Sequence, residues 1–155
     1  MSNTVIFLDM DGVLQSPRYC VAIGETGLLS ALEPAAMHML RNLVVESDAK
    51  IVLSSSWRLG MDNPSTIKKI FQCCGFKALA AAFHDDWKTR YISGYRGDEI
   101  ADWLSNHPEI SNYLILDDDS DMLESQKEHF VQTDHMNGFL LEHYDQARKI
   151  LNSGD

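Results

Sequence analysis

The chain has 155 residues, which is the size of one ordinary domain and enough to bury roughly two-thirds of the unfolded surface. Its hydrophobic share of 45% fits a soluble globular protein, and no apolar run approaches the roughly 20 residues of a membrane helix. A formal net charge of −10 argues against a broad nucleic-acid-binding face, which needs clustered lysine and arginine. We expect a single domain over residues 1–155. Since the first apolar run is too short for a signal peptide, we expect the protein to be cytoplasmic.

Short apolar runs rich in strand-forming residues alternate with helical patterns along the chain. In chain order the predicted elements are strand Thr4–Leu8, helix Pro34–Ser47, strand Lys50–Leu53, a helix that begins at Pro64 and ends before Gly75, helix 97–106, strand 112–116, strand 130–133 and helix 141–151. Strands that alternate with helices and are apolar throughout are typical of a mainly parallel sheet covered on both faces. The sequence therefore predicts an α/β fold, a Rossmann-like three-layer sandwich.

Polar clusters follow three of the four predicted strands. The first strand runs into Asp9-Met10-Asp11-Gly12, the second into three serines at 54–56, and the third into three aspartates at 117–119. Right-handed crossovers align the carboxyl ends of parallel strands along one edge, and open α/β sheets bind ligands at that edge. We therefore expect these three clusters to meet at one site.

The residue types in these clusters match the needs of phosphoryl transfer, which takes a nucleophile, a cation, donors for the phosphate oxygens and an acid for the leaving group. Asp9 and Asp11 lie two apart, so both carboxylates can face one pocket, and Gly12 permits a tight turn. Asp117 and Asp118 add hard oxygen ligands of the kind that Mg²⁺ prefers.

Candidate phosphate-binding groups come from the second strand end and from the residue before the third helix. Ser54 or Ser55 offers a hydroxyl and a backbone N–H. Arg96 offers a forked cation, or else caps the helix or pairs with an acidic residue of its first turn. Arg58 either contacts phosphate or pairs with an acidic residue. We interpret Trp57 as a packing residue.

Three segments resemble the motifs of the haloacid dehalogenase-like (HAD) phosphatases. VIFLDMDGVL at residues 5–14 resembles motif I, IVLSSSWR at 51–58 resembles motif II, and YLILDD at 113–118 resembles motif IV in its double-aspartate form. The order and spacing of the three are far more specific than an isolated Asp-x-Asp. The Ser-Ser-Trp-Arg ending, together with RGDEI at 96–100, looks closest to the small HAD domains of RNA-repair proteins.

The resemblance implies a mechanism that can be carried over position by position. Asp9 would attack phosphorus and form an aspartyl-phosphate, and Asp11 would act as general acid and then general base. Mg²⁺ would be held by the Asp9 side chain, the Asp11 carbonyl and a motif IV aspartate, with Asp118 slightly preferred to Asp117. Ser54 would bind a phosphoryl oxygen.

The family's motif III is usually a lysine, and this sequence departs from that pattern. Arg96 is the best-placed residue, with Lys88 and Arg90 as rivals. The segments after motif I and motif II are too short for a cap domain, so we expect only a short flap over residues 15–29.

A capless site is open, so the expected substrate is a phosphorylated small molecule, a nucleic-acid end or a phosphoprotein. We expect a Mg²⁺-dependent phosphomonoesterase. The alternatives are a polynucleotide 3′-phosphatase, a protein phosphatase, or a phosphate- or metal-binding interaction module without catalysis.

Overall fold

The computed structural model describes residues 3–25 and 32–153. Its strands are β1 Thr4–Leu8, β2 Lys50–Leu53, β3 Phe83–Lys88, β4 Asn112–Asp117 and β5 Phe130–Gln132. Its α-helices are α1 Pro17–Ile23, α2 Pro34–Ser47, α3 Ser65–Cys73, α4 Lys77–Ala81, α5 Arg96–Ser105 and α6 Leu141–Asn152. Two 3₁₀ helices cover Ser56–Gly60 and Glu124–His129. None of the helices described is both long and apolar enough to cross a membrane.

The five strands form one parallel sheet in the order β3-β2-β1-β4-β5. β1 lies at the centre, and the chain leaves it towards β2 on one side and returns to β4 on the other. This reversal is the topological switch point where open α/β sheets bind ligands. The ends of β1, β2 and β4, which carry the three predicted clusters, are therefore adjacent at one edge of the sheet.

The alternation of side chains along β1 divides the core between the two faces of the sheet. Val5 and Phe7 belong to a cluster covered by α5, whose Trp103 ring lies 5.3 Å from the Phe7 ring. Ile6 and Leu8 belong to the larger cluster on the opposite face, which includes residues of α2, α3, α4 and α6. Both faces are thus covered, and the predicted Rossmann-like α/β fold is confirmed.

Three elements, β3, α1 and α4, carry no pattern that predicts them from the sequence. Only Phe83 and Trp87 of β3 are buried, while Asp85 and Asp86 between them are exposed, so this edge strand has no apolar run. α1 lies within the predicted flap and buries none of its residues, which leaves no helical stripe to detect. Residues 26–29 of that flap lie outside the described part of the chain.

Candidate active site

Asp9 follows β1 directly and points into the site at the carboxyl edge. Its backbone N–H still belongs to the sheet, since it donates to the carbonyl of Leu116 at 3.0 Å. Asp9 is only 6% exposed, and the nearby Met10 N–H and Ser55 hydroxyl act to lower the pKa of its carboxyl group. The sheet therefore fixes the backbone of Asp9 at this edge, with polar groups next to its buried carboxylate.

Three carboxylates meet at this edge. Ligand oxygens of Asp9, Asp117 and Asp118 all lie within 4.8 Å of one another. Asp117 ends β4 and is completely buried, whereas Asp118 is partly accessible. The structure therefore brings together two of the strand ends that the sequence analysis placed at one site, and both motif IV candidates belong to the cluster.

The protonation of this cluster reflects its burial. Burial raises the pKa of Asp9 to about 6, although the positive charge of Arg96 opposes the increase. Burial and the charge of Asp9 raise the pKa of Asp117 to about 8, again against the effect of Arg96. Buried carboxylates at this spacing repel each other when ionised, and a single guanidinium does not offset them.

The cluster fits a hard divalent cation. The Oδ2 atom of Asp117 is buried and has no hydrogen-bond partner among the described residues, although the Nε atom of Arg96 lies 3.3 Å away. Carboxylate oxygens are the ligands that Mg²⁺ prefers, and a cation here would offset the repulsion. Asp9, Asp117 and Asp118 are thus the residues that could hold a metal by their side chains.

The turn after Asp9 gives Asp118 its position. Gly12 has φ +77°, and a methyl group on its Cα would overlap the Asp118 carboxylate. The Gly12 carbonyl accepts a hydrogen bond of 2.6 Å from the buried Thr133 hydroxyl, which fixes the turn against the end of β5. On the open side, His135 Nδ1 lies 2.6 Å from Asp118 Oδ2, and this contact raises the pKa of His135.

Asp11 does not join the carboxylate cluster through its side chain. It is exposed, and its Oδ2 atom accepts a hydrogen bond of 3.0 Å from the indole Nε1 of Trp57. The predicted metal contact of Asp11 was through its backbone carbonyl and stays a prediction. Trp57 was interpreted as a packing residue, so sequence reasoning missed its contact with Asp11. The available signal was its position, two residues beyond the serine pair at a strand end.

The two serines of the second strand end have different surroundings. Ser55 Oγ accepts from the Trp57 backbone N–H at 3.2 Å, which caps the 3₁₀ helix, and the Ser55 hydroxyl acts to lower the pKa of Asp9. Ser54 is also fully buried, but its hydroxyl has no partner within the described ranges. The predicted contact of Ser54 with a phosphoryl oxygen remains a prediction.

Arg58 is the predicted site residue that the structure does not bring to the open face. Its guanidinium is 2% exposed and points into the protein. It donates to four acceptors, namely the carbonyls of Ser54, Ser55 and Thr89 and the carboxylate of Glu99, at 2.5–2.8 Å. The arrangement corresponds to the alternative in which Arg58 pairs with an acidic residue, because an enclosed guanidinium has no free face for a phosphate.

Among the three motif III candidates, only Arg96 faces the carboxylates. It begins α5, and its guanidinium acts electrostatically on both Asp9 and Asp117. Lys88 donates instead to the carbonyl of Met61 at 2.7 Å. Arg90 is mostly exposed and makes a forked ion pair with Asp102. Of the three candidates, Arg96 is thus the one beside the carboxylates, and its assignment to motif III stays a prediction.

The remaining aspartates of the acidic segment have other contacts. Asp121 accepts a hydrogen bond of 3.0 Å from the Arg96 N–H, and its own carbonyl accepts from the Gly97 N–H at 3.0 Å. It therefore caps the start of α5. Asp119 is exposed, and its backbone N–H donates to Asp117 at 2.9 Å. These two carboxylates are structural or solvated, and only the first two of the run reach the cluster.

The fold and the site together define a Rossmann-like α/β protein with an acidic centre at the carboxyl edge of its sheet. The model of the family described as HAD domain in Swiss Army Knife RNA repair proteins matches residues 5–144, and the chain belongs to this family. No curated protein and no solved structure matches the chain. The family match confirms the resemblance carried by the three motifs, and it supports a HAD-type phosphohydrolase in general.

Proposed function

We propose that the protein is a Mg²⁺-dependent phosphomonoesterase that works through an aspartyl-phosphate on Asp9. The observation that carries the proposal is the contrast between two neighbouring aspartates. Asp9 is buried beside Asp117, Asp118 and Arg96, whereas Asp11, two residues on, is exposed. One carboxylate sits among charged groups where a phosphate would be held. The other is accessible where a leaving group would depart.

In the first step an Asp9 oxygen attacks phosphorus. The bond between phosphorus and the ester oxygen breaks, its electron pair stays on that oxygen, and protonated Asp11 supplies the proton. In the second step water attacks phosphorus, ionised Asp11 takes a proton from the water, and the bond to Asp9 breaks. The sum is a phosphate ester and water converted to an alcohol and inorganic phosphate, with both aspartates restored.

The surrounding side chains hold and polarise the phosphate. The Arg96 guanidinium reaches the Asp117 carboxylate and can also meet a phosphate oxygen next to Asp9. Mg²⁺ bound by Asp9, Asp117 and Asp118 would supply positive charge against the phosphate oxygens. The Ser55 hydroxyl would favour the ionised form of the attacking carboxylate, since it acts to lower the pKa of Asp9.

For the substrate we propose a phosphorylated nucleic-acid end. The support is the family, which is described from RNA-repair proteins, and the exposure of Asp11, which suits a bulky leaving group. The net charge of −10 does not favour a long polynucleotide, so recognition would be confined to the terminal nucleotides.

Phosphate release with Mg²⁺ tests the proposal directly. The wild type should hydrolyse an aryl phosphate, Asp9→Asn should abolish the activity, and Asp11→Asn should lose turnover while it keeps Mg²⁺ binding. Asp145→Asn, on the exposed side of α6, is the matched control and should retain activity. Equal rates for the wild type and Asp9→Asn would refute the role of Asp9.

Two further measurements separate the alternatives. Rates on a 3′-phosphorylated oligonucleotide, a phosphotyrosine peptide and free nucleotides should favour the oligonucleotide, and preference for the peptide would indicate a protein phosphatase. Capture of beryllium fluoride on Asp9 should accompany activity. A chain that binds phosphate and Mg²⁺ without forming this adduct or releasing phosphate would be an interaction module.

A further inference from the structure

We propose that Trp57 is a positioning residue for Asp11: its indole N–H holds Oδ2 and leaves Oδ1 to exchange the proton with the leaving oxygen and with water. The proposal rests on the proposed function and deepens it. Its starting observation is the hydrogen bond of 3.0 Å between Trp57 Nε1 and Asp11 Oδ2, which joins the turn after β1 to the 3₁₀ helix after β2.

The backbone of Trp57 is fixed on both sides. On one side, its N–H donates to the Ser55 hydroxyl at 3.2 Å. On the other side, the next residue is Arg58, whose enclosed guanidinium binds the carbonyls of Ser54 and Ser55. The indole itself is partly buried and packs against the larger core cluster. The donor therefore lies on a rigid support, which is what a positioning group requires.

Asp11, in contrast, has little else to hold it. Its side chain is exposed, and within residues 3–25 and 32–153 the hydrogen bond from Trp57 is the one made to its carboxylate. A free carboxylate rotates about its side-chain torsions and presents either oxygen in many directions. The contact with Trp57 removes that freedom and fixes which oxygen remains open.

An indole N–H suits a partner that gains and loses a proton in each cycle. It is a donor only and does not titrate in the working range. It can therefore donate to Oδ2 both when Asp11 is ionised and when Oδ1 carries the proton. A hydroxyl or an imidazole at the same place would have its own proton to exchange, whereas Trp57 leaves the proton with Asp11.

The role predicts a dependence on the leaving group. A nitrophenolate leaves without help, so its departure gains little from a well-placed acid, whereas an alkoxide needs the proton in the transition state. Loss of the Trp57 contact should therefore slow the hydrolysis of alkyl phosphates more than that of 4-nitrophenyl phosphate. A merely structural role would lower both rates by the same factor.

The test compares Trp57→Phe with the wild type on a series of phosphate monoesters from 4-nitrophenyl to simple alkyl phosphates. We expect kcat/KM, which reports on the step in which the leaving group departs, to fall on the alkyl esters by roughly tenfold or more beyond its fall on the nitrophenyl ester. Both rates come from one preparation, so the folded fraction of the variant cancels in their ratio.

Trp103→Phe is the matched control. The Trp103 indole also donates a hydrogen bond, of 3.1 Å to the carbonyl of Asp86. Trp103 belongs to α5, however, and its side chain packs in the core cluster between that helix and the sheet. Its replacement should leave the ratio of alkyl to aryl rates unchanged even if the protein becomes less stable. In the Asp11→Asn background, Trp57→Phe should cause no further selective loss, because the group it positions is gone.

The outcomes distinguish this proposal from the proposed function. A uniform loss across the series, or a selective loss that persists in the Asp11→Asn background, would overturn the role of Trp57 while the phosphatase activity stands. A wild type that hydrolyses none of the esters would remove both. A selective loss confined to Trp57→Phe with Asp11 intact supports the assignment.

Discussion

The guanidinium of Arg58 lies 2.5 Å from the carboxylate of Glu99, and both side chains are only 3% exposed. The pair is enclosed at the carboxyl edge, between the end of β2 and the first turn of α5. Because Arg58 also binds the carbonyls of Ser54 and Thr89, and Glu99 accepts from the Ile92 N–H, the pair joins three segments around the site. The ion pair thus supports the strand ends that carry the candidate site.

Breaking this pair should be strongly destabilising. Glu99→Gln removes the charge that balances a buried guanidinium, so we expect the free energy of unfolding to fall by about 3–5 kcal/mol. Asp102→Asn is the matched control, because Asp102 makes an exposed ion pair with Arg90. That change should lower the free energy of unfolding by less than about 1 kcal/mol. Urea unfolding of both variants measures the difference, and equal effects would contradict the structural role of Glu99.

Gly12→Ala should impair metal binding more than folding. A methyl group there would overlap the Asp118 carboxylate, and the residue has positive φ, which costs roughly 1–2 kcal/mol for an alanine. Gly75→Ala separates the two effects, because Gly75 also has positive φ but has nothing within 4 Å of the added methyl. Titration with Mg²⁺ should show weakened binding only for Gly12→Ala. Similar affinities in the two variants would show that Asp118 does not need its present position.

The sequence predicted four of the five strands and missed β3, which lies at one edge of the sheet. Residues 51–53 of β2 and 114–116 of β4 are apolar and buried, as strands covered on both faces are, and this pattern is visible without a structure. β3 lies at the edge and carries exposed aspartates, so its two buried aromatic residues do not form a recognisable run. Burial that comes only from tertiary contacts leaves a weak signal in the sequence.

The candidate site shows the same division. The gathering of Asp9, Asp117 and Asp118 follows from parallel topology alone, since residues after adjacent strands meet at one edge. For Arg58 the sequence left open a phosphate contact or an acidic partner, and the structure shows the acidic partner; Trp57 packs as interpreted but also contacts Asp11, which was not predicted. Their orientation depends on a 3₁₀ turn that Ser55 caps. Residue type alone does not encode which side of such a turn a side chain occupies.

Arg96→Gln should lower activity because the guanidinium is the positive group that faces the carboxylates. Its Nε atom lies 3.3 Å from Asp117 Oδ2, and its side chain is largely enclosed. We expect kcat/KM for phosphate release to fall on the order of 10²–10³-fold. Arg96→Lys should retain part of the activity, since a point charge replaces the fork. Arg90→Gln, which removes an exposed arginine paired with Asp102, should leave the rate nearly unchanged. A comparable loss in Arg90→Gln would assign the effect to net charge.

The metal-free protein should become less stable as pH rises from 4 to 8. The pKa of Asp117 in the folded protein is about 8 and that of Asp9 is about 6, against an ordinary value of 3.8, so the native state holds these protons more tightly than the unfolded chain. Ionisation therefore costs the native state free energy across this window, and the cost is absent below the unfolded pKa. Thermal unfolding in the presence of a chelator should show Tm decreasing over this range.

Asp117→Asn should make the decrease of Tm with rising pH smaller. An amide does not ionise, so in this variant only the raised pKa of Asp9 still makes stability fall with pH. At pH 8 the Tm of the metal-free variant should be close to or above that of the wild type. At pH 4 the Tm of the variant relative to the wild type should be lower than at pH 8. Asp119→Asn, which removes an exposed carboxylate from the same segment, should follow the wild type. Added Mg²⁺ should raise Tm at pH 8 more in the wild type than in Asp117→Asn, because a cation stabilises only the state that presents its ligands. Parallel profiles of Tm against pH for the wild type and Asp117→Asn would show that ionisation of Asp117 does not destabilise the folded protein.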